Sequence, residues 1–464
     1  MKKLESFLNS GIYIFLIFSI TFISWSFYHE TPPYVFNLYN MIGIFTLVTI
    51  NTIVLVLFKN TMYTIPTILS FLFVISKAGL PLDDISLLKF PLFAFAVFLI
   101  GPIAHFIRFK PKFVQGKFLL GFGLIGLAYL IPLIYLPFEF QGLLVSVAGI
   151  TFVGFYIFFV STIKGNLNYL FKILIFVNLL LTLEVFFYMY QGYLIHPELD
   201  LYHRILVGWT GSFGWGNLNY PPIYIALTMP SYLYFIFKKP NSYLLWLLMI
   251  LPITAVFITQ SRGGMLDVLV SLLGMFLFLI IKGNKKHLTH GFIFLFAMLI
   301  IFYLGRDIAF LWWEEFLRSL GNNIDSLTTG RLYIYEQGWL IFKQYPIFGG
   351  GWLSIKSFPF ENPTVFMFHS TIIQTIATMG LFGVAALLTH YYQIGTFMFK
   401  KINLEKSLFI IGYVATQVHG LIDNVQYAIP YSVMLVLLLS IYETAEKESS
   451  FEMINHRYHL IEDK

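Results

Sequence analysis

The 464-residue chain contains no cysteine and very little charge. The first absence removes disulfides, thiolate metal ligands and cysteine nucleophiles. The second decides the class of protein. Asp, Glu, Lys and Arg make up 11% of the residues, against roughly 25% in soluble domains. Two further absences narrow the reading. No block of Lys and Arg interleaved with aromatics is present, so nucleic acid is not an expected partner. No internal repeat is visible, which counts against transporter folds built from duplicated halves. What fills the chain is apolar: 58% hydrophobic residues, 52 phenylalanines and a mean hydropathy of +0.78. A soluble fold of this length would lack the polar surface to cover so much apolar side chain. The sequence is that of an all-α polytopic membrane protein.

A helix needs about 20 apolar residues to cross the hydrocarbon. Runs of this kind recur from Gly11 to about residue 443, which predicts about 12–14 transmembrane helices. Lys2 and Lys3 precede the first run as they would in a signal peptide, yet Gly11 to Tyr28 carries no small-x-small cleavage site and reads as a retained span. Alternating the spans from a cytoplasmic N-terminus places 20 of the 29 basic residues inside and nine outside, with both termini cytoplasmic. The exceptions are informative, because five of the seven arginines fall outside while lysine dominates inside. Lysine serves as a topological point charge, whereas arginine is favoured where planar, bidentate contact with phosphate or carboxylate is needed. The outer face is therefore expected to meet an anionic ligand.

Residues 1–204 read as N-terminal transmembrane helices and 205–390 as a core containing one large extracytoplasmic loop, 306–368. Residues 391–443 read as C-terminal transmembrane helices and 444–464 as a cytoplasmic tail. Within the loop, Asp307 to Leu320 has the pattern of an amphipathic helix with Trp312 and Trp313 at headgroup level. Leu332 to Gln344 reads as a second helix, stopped by Tyr345-Pro346 and the glycine turn that follows.

Three groups of residues on the outer side carry chemistry. In Thr259-Gln260-Ser261-Arg262-Gly263-Gly264 the glycines permit a tight reversal and hold Arg262 at the mouth of the bundle. This is either a turn with a snorkelling arginine or an anion site, and an arginine at membrane depth costs about 2.5–3.5 kcal/mol. Arg331 falls in the first turn of its predicted helix with Tyr335 one turn onward, a pattern that suits either lipid phosphate or a specific ligand. His369 opens the next span, as a hydrogen-bonded boundary residue or as a side chain able to take a proton near neutral pH. Two fixed cations and one imidazole on the same side of the membrane match a pyrophosphate and a hydroxyl to be deprotonated. Arg204 is a third candidate for the anion. Trp209, Trp215, Tyr335 and Trp352 are candidates for sugar stacking or membrane anchoring. His419 and Asp423, one turn apart near the outer end of their span, form a candidate pair behind the site, and Asp267 is a candidate partner of Arg262.

The order of these motifs resembles the O-antigen ligase/Wzy polymerase superfamily across about residues 205–390. The resemblance rests on Ser261-Arg262-Gly263, then Gly330-Arg331 with Trp339, then Pro346-Ile347-Phe348-Gly349-Gly350-Gly351, then His369 with Gly380-Leu381-Phe382-Gly383. Ser370 and Thr378 depart from the Asn and Glu common at those places. The resemblance implies a GT-C-like, inverting, metal-independent transferase that uses no cofactor. Its donor would be a glycan on undecaprenyl pyrophosphate at the outer face of a bacterial plasma membrane, and its acceptor another glycan. Membrane lipids would surround it, with a flippase and a chain-length regulator as partners. It further implies that Arg262, Arg331 and Arg204 bind pyrophosphate, that His369 is the general base, and that Ser261, Gly263, Tyr335, His419 and Asp423 support them. A polymerase of lipid-linked units is the expected function. A ligase passing the finished glycan to another acceptor, and a polysaccharide flippase, are the alternatives.

Overall fold

In a bilayer, every backbone N–H and C=O of a spanning segment must be satisfied within the protein, and a helix does this from its own chain. The computed structural model describes residues 1–26, 38–77, 85–195, 197–198, 219–239, 241–307, 310, 314, 331–352 and 367–462. Among them every regular element is helical. In chain order the helices are α1 (Lys2–Leu8), α2 (Gly11–Ser26), α3 (Leu38–Leu57), α4 (Ile65–Lys77), α5 (Ile85–Phe109), α6 (Leu119–Leu130), α7 (Phe140–Thr162) and α8 (Leu167–Ile195). They continue with α9 (Tyr220–Thr228), α10 (Ser231–Lys238), α11 (Tyr243–Thr259), α12 (Arg262–Lys282), α13 (Lys285–Leu304), α14 (Arg331–Gln344), α15 (Thr371–Phe399), α16 (Leu404–His419) and α17 (Ile429–Glu462).

Among the described residues, eight helices are long and apolar enough to cross a membrane, or nine if α1 and α2, bent by 58°, form one span. The chain is a multi-pass membrane protein. The other expected runs hold α4, α6, the α9–α10 pair, α11 and α16, each helix 17 residues or shorter. Local breaks shorten them: a 3-10 turn through Pro132 ends α6, Pro230 separates α9 from α10, and left-handed Gln260 ends α11. The second loop helix lies where the sequence places it, as α14. Most of the expected Asp307–Leu320 helix, with Trp312 and Trp313, lies outside the described residues.

Burial separates the centre of the bundle from its rim. The apolar window of α17 is 78% buried and that of α13 only 17%, so α17 is the central pillar and α13 a lipid-facing helix. Phe292, Ile293, Phe296, Leu299 and Phe302 of α13 are accordingly exposed. At one end of the bundle, three lysines expected on the inner side gather around two glutamates. Lys447 lies 2.7 Å from buried Glu443, and Lys117 and Lys406 lie 2.8 and 3.4 Å from Glu446. Lys406 Nζ also donates to the carbonyls of Phe397 and Lys400 as α15 finishes. The opposite end of α15 starts at Thr371, beside Arg331 and His369.

Two glycine motifs of the core interlock. Gly380 breaks α15 with φ 60° and ψ −158°, a conformation open to glycine alone. The backbone groups this frees are taken up by the 346–351 turn. Gly350 and Gly351 N–H donate to Ala377 and Thr378 carbonyls at 2.7 and 2.9 Å, and Leu381 and Phe382 N–H donate to Pro346 and Ile347, both at 2.9 Å. A β-carbon on Gly380 would lie 2.6 Å from the Ile347 backbone. Gly380→Ala is therefore expected to cost at least about 1–3 kcal/mol from conformation alone. Thermal unfolding in detergent should show a clearly lowered midpoint, while Gly395→Ala, which meets open space, should leave it unchanged. An unchanged midpoint for Gly380→Ala would remove the interlock from this account.

Candidate active site

The site forms where three helices begin and one loop closes over them. α12 starts at Arg262, held by the Ser261 side chain, whose Oγ accepts from Gly264 N–H at 3.0 Å. α14 starts at Arg331, and α15 starts at Thr371 with Ser370 as its cap. Each helix start carries the positive end of a dipole, so the region favours an anion before any side chain is counted. The loop 420–428 between α16 and α17 joins them: Thr371 N–H donates to Gly420 and Asp423 carbonyls at 2.8 and 3.1 Å.

Arg331 Nη1 donates to the Ile422 carbonyl at 2.7 Å. A guanidinium has five N–H donors in a planar fork, so this tether fixes its position and leaves other donors for a ligand. Arg262, exposed at the start of α12, lies close enough to Arg331 for their charges to repel. Two positive charges near each other at one end of the bundle attract an anion.

His369 has φ 45°, a left-handed conformation that costs a non-glycine residue about 1–2 kcal/mol. It is held there by Tyr335, whose hydroxyl donates to the His369 carbonyl at 2.8 Å. Burial pushes the Tyr335 phenol up, with Asp423 adding to the rise and Arg331 opposing it, so Tyr335 keeps the proton it donates. The imidazole is about one-third exposed, and its Nδ1 lies 3.3 Å from Oδ1 of buried Asp423. With Nδ1–H turned to a carboxylate, Nε2 is left as the basic nitrogen. Burial alone would push the Asp423 carboxyl up. Contacts with His369 and His419 outweigh that and hold it well below the usual carboxylate range.

Asp423 has further support. Asn424 N–H donates to its Oδ1 at 2.7 Å, and the Asn219 amide donates to Oδ2. Asn219 in turn accepts from the Ser261 hydroxyl at 2.5 Å, which links the start of α12 to the carboxylate. His419 ends α16, and its Nε2 lies 3.9 Å from Asp423 Oδ2, a charge contact longer than a hydrogen bond. Asp423 itself stands in the loop beyond α16 and not on the helix expected from the sequence. Gly263 is the point of closest approach, since a β-carbon there would sit 2.7 Å from His419 Nε2.

Ser261, Arg262, Gly263, Arg331, Tyr335, His369, His419 and Asp423 thus share one end of the bundle. Arg204, Trp209 and Trp215 lie outside the described residues. Two expectations need correction. Asp267 does not pair with Arg262; its Oδ2 is 2.5 Å from His419 Nδ1. Five residues along a helix turn the side chain through about 140°, so Asp267 faces α16. Trp352 is buried, stacked 5.1 Å from Tyr129 with its edge on Tyr427, so it packs the core and presents no open face to a sugar. Asn219 was missed by the sequence reading, where its only signal is a polar amide just before Tyr220-Pro221-Pro222 at the start of an apolar run.

Residues 247–388 match the family model described as O-antigen ligase. That stretch is similar to an O-antigen ligase domain, in agreement with the motifs that carry the resemblance to the O-antigen ligase/Wzy superfamily. The match supports a membrane function of the O-antigen ligase or polymerase type. No curated protein matches the chain. The matched stretch of the O-antigen ligase domain contains Arg262, Asp267, Arg331, Tyr335 and His369, whereas Asn219, His419 and Asp423 come from outside it. The site is therefore completed by segments that flank the matched stretch.

Proposed function

We propose that this protein polymerises undecaprenyl-pyrophosphate-linked oligosaccharide units into a surface polysaccharide at the outer face of the plasma membrane, with both termini cytoplasmic. The supporting observation is the meeting of a guanidinium pair with a His369–Asp423 dyad at the end of the bundle remote from the lysine-rich cluster. The positive-inside rule supports reading that lysine cluster as cytoplasmic.

A glycosyl pyrophosphate is already activated, so its departure needs charge stabilisation more than protonation. Arg262 and Arg331, with the N-terminus of α12, take up the negative charge that grows on the departing pyrophosphate. The acceptor hydroxyl oxygen forms the new bond to the anomeric carbon as the bond from that carbon to the pyrophosphate oxygen breaks, its electron pair leaving with the pyrophosphate. The hydroxyl proton passes to His369 Nε2. Asp423 holds the ring in the required tautomer and balances the imidazolium that forms. Single displacement from the face opposite the leaving group inverts the anomeric centre, and the two arginines supply the cationic charge without a metal ion.

Analysis of lipid-linked glycans from cells in which the gene is deleted tests the polymerase reading. Single repeat units should accumulate on the carrier lipid outside the cytoplasmic membrane, and restoring the gene should restore long carrier-linked chains. Long chains that stay on the carrier in the deletion would instead show a ligase. Single units confined to the inner leaflet would show a flippase.

A further inference from the structure

Behind the dyad lies a second one that this mechanism does not yet use. His419 is 1% exposed by side chain and Asp267 not at all. Their contact joins residues 152 positions apart and is made deep between α12 and α16. His419 therefore stands between two carboxylates, with Nδ1 2.5 Å from Asp267 Oδ2 and Nε2 3.9 Å from Asp423 Oδ2. A neutral imidazole in this place would donate to one carboxylate and turn a lone pair to the other. At 3.9 Å Nε2 makes no hydrogen bond to Asp423, so the link to that carboxylate is through charge, which a doubly protonated ring supplies. The close approach depends on Gly263, because any β-carbon there would meet the His419 ring.

We infer that Asp267 and His419 are positioning residues for the transfer reaction: Asp267 holds His419 as an imidazolium, and that fixed cation keeps Asp423 ionised and aimed at His369. This rests on the reading of His369 as the general base and extends it one dyad deeper. The four groups form an alternating series, Asp267, His419, Asp423, His369, running from the bundle interior to the partly exposed ring. The fixed positive charge has a cost and a use. It neutralises Asp423 in the resting enzyme, which stops the carboxylate from taking a proton in so buried a place. It meets the carboxylate at Oδ2 while His369 meets Oδ1, so Asp423 is shared between the two rings. Among the described residues, the titratable and charged groups facing this series are Tyr220 of α9, Arg331 and Tyr335 of α14 and Tyr431 of α17, besides its own members.

The test uses full-length protein in lipid nanodiscs, with the lipid-linked unit extracted from the deletion cells as substrate. His369→Ala is measured first. If it retains turnover, the base assignment fails and the inference falls with it; if it is inactive, the next variants judge the inference alone. In His419→Gln, kcat should fall by at least about tenfold, a fraction of the roughly 10²–10⁴-fold that a general base supplies, with KM for the donor within about twofold. Removing a cation raises the proton affinity of both Asp423 and His369. The acid limb of the pH–rate profile should therefore move upward by about one pH unit or more. Adding Asp267→Asn to His419→Gln should leave the limb where His419→Gln puts it, because a buried Asp267 without its cation takes up a proton. A purely structural role would lower the amount of folded protein while leaving kcat per folded molecule and the limb in place, which would overturn the inference. Loss of one buried charge tends to destabilise where loss of both is tolerated. If His419→Gln does not fold, the double variant decides: a kcat lowered about tenfold at unchanged KM supports the positioning role, and an unchanged kcat overturns it.

Discussion

His369→Ala should reduce glycan transfer by about 10²–10⁴-fold, the contribution of a positioned general base, while the protein still inserts into the membrane. Cells carrying it should accumulate single lipid-linked units, and purified protein should bind the donor with nearly normal affinity. The magnitude follows from the geometry. His369 Nδ1 is engaged by a carboxylate that two imidazoles, an amide and a backbone N–H hold in its charged form. Its backbone is fixed in a left-handed conformation by Tyr335. A residue held at such cost contributes through orientation as well as through basicity. The loss should appear in kcat, because the proton moves only as the new bond forms. Normal polymer length in cells dependent on His369→Ala would discard the enzymatic assignment.

The second large effect is expected from the arginines. A charge-assisted hydrogen bond contributes about 1.5–3 kcal/mol, so Arg262→Ala and Arg331→Ala should each lower kcat/KM by about 10- to 150-fold. Arg331→Lys should behave much more like alanine than like arginine. Lysine keeps the charge but not the planar fork that binds the Ile422 carbonyl and a phosphate oxygen together. Loss at Arg331 should also loosen the loop that carries Asp423, so its effect on kcat should exceed that of Arg262. Equal and small effects from both alanine variants, measured with the extracted donor, would contradict a role in gripping the leaving group.

The sequence showed most plainly what is dictated by solvent. Composition alone forces helices in a bilayer, and the apolar runs mark where helices stand, because hydrocarbon leaves the backbone no other partner. The arginines were legible because they break the charge bias expected of the outer side. His369 stood out as the side chain suited to take a proton near neutral pH, beside the plainer reading of a hydrogen-bonded boundary residue. Harder to see were contacts that exist only once the chain closes on itself. Asn219 reaches Asp423 across 204 positions and Ser261 across 42, and Asp267 meets His419 across 152. No local pattern specifies these distances. The proposed Arg262–Asp267 partnership failed for a reason the helix itself contains, since five residues rotate a side chain to another face. Trp352 misled because an aromatic near a glycine turn reads equally well as a sugar platform or as core. The glycine motifs were visible as spacing, but their purpose lies in backbone meeting backbone between the 346–351 turn and Gly380.

The claim on which the rest depends is that Arg262 and Arg331 hold one diphosphate together. Its most direct measurement is the affinity of undecaprenyl pyrophosphate for the wild type, Arg262→Ala, Arg331→Ala and the double variant in nanodiscs. Groups gripping one ligand headgroup should be coupled, with the double loss departing from the summed single losses by more than about 0.5 kcal/mol. Additive losses within that margin, or a normal affinity in either single variant, would place the two arginines on separate tasks and contradict the account.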